Sequence, residues 1–419
     1  MVVFPIDNFL PDADLSALSE RKQEFYDGLT QWQPRQSAAT SSPQLEVSAA
    51  DYETALIKVN DLLLARHWGD GLPLWPATEA RTQWILRGAT LPRDHIIGRF
   101  PPRGGMVTIE SCAIALAMAG GRPEYLPVLV AAVDAFLDPL TTGDLLQATS
   151  GSPFPMIVVN GPIAKKIRLN SGFGILGPDP QHPAGASIGR ALRLMQQNLG
   201  GALPGVGTMA VFGMMRNTNV VFAEDEDGLP AGWTPYVNER HGFAGGSNCL
   251  SLAFGNGATN VFRRGAKEET KEEDAVQGLH RIAGYMRVPD VHYLWGYDKG
   301  TPGLVVISKV VAAGLGDLGW TKKDVREFLL LHSKVPMAEM NKSGGTAFMK
   351  IASTAIGRDS IKHDPWPITS NADNIGLIVA GGGHSSHALW MQAYSPAVLG
   401  REIAIPECFD ELIKESRQQ

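Results

Sequence analysis

The chain is poor in cysteine. It has three cysteines in 419 residues, Cys112, Cys249 and Cys408, and none of them forms a Cys-x-x-Cys pair. Small extracellular scaffolds stapled by disulfides and zinc sites built from several cysteines both need more. The cysteine content therefore excludes a disulfide framework and a cysteine-rich zinc site, and it favours a reducing cytoplasm.

Charge and long apolar runs are also scarce. Only 19% of the residues are charged, with 37 basic against 43 acidic residues and a net charge of -6. No basic stripe is present, so we expect no nucleic-acid partner. The longest apolar stretch, Tyr125–Leu137, is interrupted by Asp134 and is shorter than the roughly 20 residues of a membrane span. The first residues are acidic where a signal peptide would be basic, so we expect no membrane association and no secretion.

Glycine is abundant, at 46 residues, and 44% of the chain is hydrophobic. The glycines show no Gly-x-y period, which excludes a collagen-like fibre. The apolar content is enough for a sizeable core. Many glycines fall in pairs or triplets at the ends of predicted elements, where the backbone must turn or approach a ligand closely. We therefore expect turns and a pocket lined by backbone.

Three regions are predicted along the chain. Residues 1–50 form an arm, with one amphipathic helix over Leu15–Trp32 and a Ser/Ala/Gln/Pro-rich linker over Gln33–Ala50. The arm is either a frayed tail or a segment that embraces a second subunit in a homo-oligomer, in the simplest case a homodimer. Residues 51–150 form a helical subdomain, in which Thr108 caps one helix of a buried hairpin and Pro123 begins the other. Residues 151–419 form an α/β domain, and 51–419 together can also be one compact unit.

The α/β prediction rests on four short apolar runs that alternate with helical stretches. Runs of this kind are typical of strands buried on both faces of a mixed or largely parallel sheet flanked by helices. Ligands bind such sheets at the carboxyl ends of the strands, which points to Asn160, Glu224, Ser308 and the Gly381–Gly383 turn. The predicted strands are Pro155–Val159, Asn219–Ala223, Leu304–Ile307 and Ile375–Ala380, and the predicted helices are Ala186–Leu199, Glu268–Arg287, Lys322–Ser333 and Ala338 to about Ile356.

The segment 375–394, IGLIVAGGGHSSHALWMQAY, is the strongest local signal. It predicts a strand, a triple-glycine turn and then a helix, whose start offers an anion site. His384 and His387, three residues apart, would share one helix face as an acid–base pair, as two ligands of a divalent metal with Glu224 as a further candidate, or as purely structural residues. Gly382, Gly383 and Ser385 would contact the substrate. The segment only partly matches a serine nucleophile elbow, since no histidine follows His387.

Other residues are candidates on position alone. Each also has an ordinary structural interpretation, such as a turn cap, a surface pair or a solvated loop. Two Gly-x-Gly-x-x-Gly strings lack the strand–helix context of a dinucleotide site, so neither nicotinamide nor flavin is expected. The candidates are Asp70 and Glu224 as acid–base groups, Arg190, Asn160 and His241 as substrate contacts, and Cys249 as the best-placed thiol.

Several segments together resemble large bacterial proteins associated with the UGSC family, named for a Sec-Gly-Ser-Cys redox motif. The resemblance spans roughly residues 60–335 and rests on WGDGLPLWPAT, MAGGRPEYLPVLVAAVDAF, IVVNGPIA, ASIGRALRLMQQNLGG and GWTKKDVREFLL, in this order. It implies a cytoplasmic enzyme component that works with a thiol or selenol partner. Relatives tend to have cysteine at Gly121 and Pro-Glu-His near Ser308–Val310, and no UGSC or CGSC string is present here. Lys309 then becomes a candidate replacement base.

The sequence thus predicts an enzyme that acts on a small anionic substrate. Its reaction would be an elimination, a hydrolysis or the cleavage of a carbon–heteroatom bond, which makes it a lyase or a hydrolase, with or without a divalent metal. Two alternatives stay open. One is a redox component that uses Cys249 or Cys112 with a small redox partner protein. The other is a non-catalytic ligand-binding or assembly subunit, motivated by the departures at Gly121 and Ser308–Val310.

Overall fold

A computed structural model describes residues 12–31, 45–213, 220–265, 269–287, 297–342, 363–385 and 387–418. Within these ranges, no helix has both the length and the apolarity that crossing a membrane requires. Asn219, Ser386 and the predicted helix beyond residue 342 lie outside the described residues. So does most of the predicted linker.

Helices and strands alternate along most of the described chain. The helices are α1 (Ser16–Glu20), α2 (Lys22–Thr30), α3 (Tyr52–Ala65), α4 (Glu79–Leu86), α5 (Ile109–Met118), α6 (Leu126–Leu137), α7 (Gly143–Ala148), α8 (Pro162–Lys166), α9 (Ala184–Asn198), α10 (Tyr236–His241), α11 (Lys271–Met286), α12 (Lys309–Asp317), α13 (Lys322–His332), α14 (Met337–Lys342) and α15 (Phe409–Gln418). The strands are β1 (Ile96–Phe100), β2 (Gly105–Thr108), β3 (Phe154–Asn160), β4 (Val220–Ala223), β5 (Cys249–Gly255), β6 (Thr259–Phe262), β7 (Thr301–Ile307), β8 (Gly376–Val379), β9 (His387–Ser395) and β10 (Leu399–Glu402).

The helical hairpin predicted before the sheet is present as α5 and α6. Thr108 caps α5 by accepting a hydrogen bond from the backbone of Ser111, whose hydroxyl accepts one from Thr108 in return. Gly120 ends the helix with a φ of +73°, which only glycine adopts without strain. Both helices bury most of their side chains in one core with α9 and the outer face of β3–β5. The hairpin therefore forms a layer against the sheet.

The main sheet is mixed. Six strands follow the order β4-β3-β5-β9-β7-β8, while β10 pairs with β5 and β6 pairs with β9. The pairs β3–β4 and β7–β8 are parallel, and all other pairs are antiparallel. The four predicted strands correspond to β3, β4, β7 and β8, so the α/β class is confirmed. Of the two predicted arrangements, mixed or largely parallel, the sheet has the mixed one, because β5 and β9 return antiparallel between the two parallel pairs.

The sheet curves so that the end of β4 approaches the end of β8, although no ladder pairs these two strands in the described part of the chain. The backbone N–H of Asp225, just after β4, donates to the carbonyl of Val379, the last residue of β8, at 2.7 Å. Alternate residues from all six strands point into one shared interior core, as in a barrel. This core contains Phe154, Met156, Val158, Val220, Phe222, Cys249, Ala253, Leu304, Val306, Ile378, Met391 and Ala393.

The barrel contains two repeats of the same strand topology and register. Repeat 1 contains α6, β3, α8, α9, β4, α10, β5 and β6, and repeat 2 contains α11, β7, α12, α13, β8, β9 and β10. Val159 of β3 pairs with Ala223 of β4, as Ile307 of β7 pairs with Val379 of β8. The two repeats meet where Gly255 pairs with Ala393, which are equivalent positions. The duplication was not apparent in the sequence.

Candidate functional site

The predicted strand-end residues Asn160 and Glu224 do come together, at the seam where the barrel closes. Asn160 Nδ2 donates to Glu224 Oε2 at 3.0 Å, and the backbone N–H of Tyr236 donates to the same oxygen at 2.5 Å. Glu224 Oε1 accepts from the backbone N–H of Val379 at 3.2 Å and from Lys322 Nζ at 3.4 Å. The carboxylate is fully buried, so it holds β4, β8 and α10 together.

The acidic residues 224–227 do not form a wholly solvated loop. Glu226, two residues on, accepts from the backbone N–H of Gly161 and from Asn160, so the first part of the run faces protein rather than solvent. Because N–H donors surround the Glu224 oxygens, a metal would have to displace them. Glu224 is therefore better placed to support the seam than to hold a metal.

The triple-glycine turn is present, but no helix follows it. Gly381 and Gly382 have φ values of +92° and +84°, and a Cβ at Gly382 would lie 2.7 Å from the Phe173 ring. From His387 the chain forms strand β9, so the predicted helix over 384–394 is wrong. The reason is tertiary: β6 and β7 flank this segment and pair with it on both sides.

His384 and His387 nevertheless lie side by side, with ring centroids 4.9 Å apart. His387 Nδ1 is 3.1 Å from Asn260 Oδ1 on β6, and the Phe262 ring lies 5.0 Å from the His387 ring. A proton on Nδ1 is donated to the Asn260 oxygen, which leaves the lone pair on Nε2. This tautomer is the one that a general base needs.

His387 lines a cleft of about 840 Å³ between α11, α12 and the edge formed by β6 and β9. Lys309 and Ser385 line the same cleft. The strand register explains the proximity, since Ile307 of β7 pairs with Ala388 of β9. Lys309 is exposed and begins α12, whose cap is Ser308, and the Ser308 hydroxyl donates to the His384 carbonyl at 2.6 Å. The cleft thus collects a cation, a hydroxyl and an imidazole.

Asp70 and Arg190 pair with each other instead of joining this group. Arg190 Nε and Nη2 donate to the two Asp70 oxygens at 2.7 and 2.9 Å, and Nη2 also reaches the carbonyls of Leu72 and Pro73. Burial alone would raise the pKa of Asp70, but the hydrogen bonds and charge of Arg190 outweigh it and lower that pKa. The pair fixes the 69–73 loop on α9, which is a structural task.

His241 and Cys249 are both enclosed by the fold. His241 ends α10, with its Nε2 3.0 Å from the Ser251 hydroxyl, and burial next to Arg240 and Arg401 lowers its pKa to about 4. Burial raises the pKa of Cys249 to about 11. At neutral pH the histidine is uncharged and the cysteine is a thiol. Neither lines the cleft described above.

Among the residues that the structure describes, no three His, Cys, Asp or Glu side chains are grouped as a metal site would require. No family model, curated protein or solved structure matches the chain.

Two residues important to this geometry were missed from the sequence. The sequence identifies Lys322 only as the first residue of a predicted helix. Asn260 lies on a short strand that shows no alternation of apolar and polar residues. A lysine directly after the Thr321 cap gives no local sign that it is buried. Only the packing of α13 against the seam shows it.

Proposed function

We propose that the protein is an enzyme that uses acid–base chemistry on a small anionic substrate bound in the cleft. The observation that carries the proposal is the convergence of Lys309, Ser385 and His387 on one cleft of about 840 Å³, with His384 beside His387. Clefts of this size, with a few converging polar groups, are typical of ligand sites.

Each of these groups has a role that its position supports. His387, oriented by Asn260, would accept a proton at Nε2, and His384 would relay or return it. Lys309 and the N-terminal end of α12 would hold the anionic group of the substrate. In the alternative role, Lys309 would be uncharged and would act as the base instead. Ser385 would donate a hydrogen bond. The reaction would be an elimination, a hydrolysis or a carbon–heteroatom cleavage.

The thiol-redox alternative has less support in the geometry. Burial raises the pKa of Cys112 to about 12 and that of Cys249 to about 11, so neither is a thiolate at neutral pH. The thiolate is the reactive form. The relation to UGSC-associated proteins stays a prediction that does not affect the assignment of roles above.

The test begins with a thermal-shift screen of carboxylates and phosphates, followed by turnover measurements on the compounds that stabilise the protein. His387→Gln should lower kcat by about 10²- to 10⁴-fold, the usual contribution of a general base. His182→Gln is the control, because His182 pairs with Asp179 and does not line the cleft. Full turnover in both His384→Gln and His387→Gln would refute the assignment.

A further inference from the structure

The two repeats differ in what fills the space outside the barrel. One long helix from each repeat covers an outer strand pair: α6 lies on β5 and β10, and α11 lies on β9 and β6. Each of these pairs combines one strand from each repeat. In each repeat a second helix follows the first strand, α8 after β3 and α12 after β7. The gap between α11 and α12 is the cleft, so its equivalent is the gap between α6 and α8.

In repeat 1 the chain fills this gap itself. Helix α15 contacts the turn that begins α6, and its first residues contact Lys166, the last residue of α8. Its Phe409 and Ile413 are buried in the same core as both helices. Asp410 pairs with Lys166 Nζ at 2.7 Å, and Phe409 packs under the same ammonium at 5.9 Å. The gap in repeat 1 is therefore occupied by an apolar side chain, Phe409, and by a neighbouring carboxylate, Asp410, which pairs with Lys166.

In repeat 2 the equivalent space is the cleft, and its walls are apolar. The apolar part of the lining consists of Leu229, Val261, Leu279, Ile282, Val311 and Leu318. Two of its acidic side chains are already paired, Asp227 with Lys165 and Asp274 with Arg263. Three cations of the cleft, Lys271, Arg281 and Lys309, have no ion-pair partner among the described residues. The cleft is therefore cationic as well as largely apolar, and Lys309 is the cation next to Ser308 and the start of α12.

The third acidic residue of the cleft, Asp317, lies at the other end of α12. Eight residues of helix separate it from Lys309, about 12 Å at 1.5 Å per residue. An anionic group is therefore favoured at the Lys309 end and disfavoured at the Asp317 end. The Lys309 end therefore suits the anionic head of a ligand, and the apolar side chains between the helices suit an uncharged body.

We infer that the cleft binds a monocarboxylate with an extended apolar body, its head on Lys309 and its body between α11 and α12. The inference rests on the proposed function for the site and adds the class of substrate. Such a ligand supplies the same two chemical features that Phe409 and Asp410 supply in repeat 1. The volume of the cleft far exceeds the need of a two-carbon acid, whereas it suits a body of drug-like size.

The test uses isothermal titration calorimetry with acetate, butanoate, hexanoate and octanoate on the full chain. Each added methylene should tighten binding about fourfold while it is buried. Octyltrimethylammonium, with the same body and the opposite charge, should bind at least ten times more weakly than octanoate. Lys309→Gln should weaken octanoate binding by a similar factor.

Two glycines allow the cleft to be blocked without breaking the fold. Gly278 of α11 and Gly314 of α12 line the cleft, and a Cβ at either meets no atom within 4 Å. Gly278→Leu and Gly314→Leu should therefore fold and lose octanoate binding. Gly284→Leu is the matched control, since Gly284 is on α11, equally open and outside the cleft lining.

The inference is overturned if affinity does not rise with chain length, if no carboxylate binds saturably, or if Gly278→Leu binds octanoate as the parent does. Chain-length-dependent binding without turnover of any such acid would count against the enzyme proposal alone. Turnover of short anions with no gain from chain length would count against this inference alone.

Discussion

The buried Glu224–Lys322 pair offers a quantitative test of what closes the barrel. Glu224 comes from repeat 1 and Lys322 from repeat 2, and their side chains are 0% and 4% exposed. The carboxylate accepts four hydrogen bonds, two of them from the backbone of Tyr236 and Val379. Glu224→Gln keeps the shape of the side chain. However, the NH₂ group of its amide must face donors whose hydrogen bonds the carboxylate accepted.

We expect Glu224→Gln to lower the free energy of unfolding by about 3–5 kcal/mol, the usual cost of removing one partner of a buried ion pair. Lys322→Met removes the other partner of the same pair and the hydrogen bond from Lys322 Nζ to the Thr234 carbonyl, so it should cost a similar amount, about 3–5 kcal/mol. The double variant should lose about 1–3 kcal/mol less than the sum of the singles, because it leaves no lone buried charge.

The neighbouring pair Lys323–Glu327 is the matched control. It lies on the same helix at 3.7 Å, and its side chains are 72% and 57% exposed. Glu327→Gln should change stability by less than about 0.5 kcal/mol. The measurement is equilibrium urea unfolding at pH 7, followed by tryptophan fluorescence and far-UV circular dichroism. Losses in the two single variants that simply add in the double variant, or a loss below about 1 kcal/mol for Glu224→Gln, would refute the role of this pair.

Three further predictions follow from the enclosed groups. The folded-state pKa of His241, about 4, lies below the unfolded value of about 6.5, so its contribution to stability is complete above pH 6.5 and is lost as the pH falls towards 4. In His241→Gln, the free energy of unfolding measured with urea should depend less on pH between 6.5 and 4. An unchanged pH dependence would contradict the burial argument. At pH 8 iodoacetamide should label the partly exposed Cys408 before Cys249, because burial raises the pKa of Cys249. Mass spectrometry can follow the two labelling rates, and equal rates would contradict this prediction. Asp70→Asn should cost about 2 kcal/mol by leaving the Arg190 fork half-bonded, and a thermal scan that matches the parent would argue against a structural pair.

Local patterns predicted the elements whose signals are local. Strands β3 and β7 are continuous apolar runs, and a cap at Thr108 and a left-handed glycine at Gly120 mark the ends of α5. Such signals act within a few residues. These elements can therefore be predicted without knowledge of the rest of the molecule.

The segment after Gly383 shows where local patterns fail. HALWMQAYS can be placed on a helix or a strand by its own composition, and the glycines before it favour a helix start. The structure makes it a strand because two neighbouring strands, β6 and β7, supply partners for its backbone groups. Because this segment is a strand, it offers no helix start to bind an anion. The candidate anion site therefore lies at the start of α12 instead.

Local sequence patterns were enough to predict the α/β class, the buried helical hairpin, the four strands of the parallel pairs and the turn at Gly381–Gly383. Tertiary structure alone decided which candidates meet. It joined Asp70 to Arg190, buried Glu224 against Lys322, and placed Lys309 and His387 in one cleft. The physical reason is that caps, turns and apolar periodicity act between near neighbours. Charge pairing and cleft formation instead depend on which distant segments the closed barrel brings into contact.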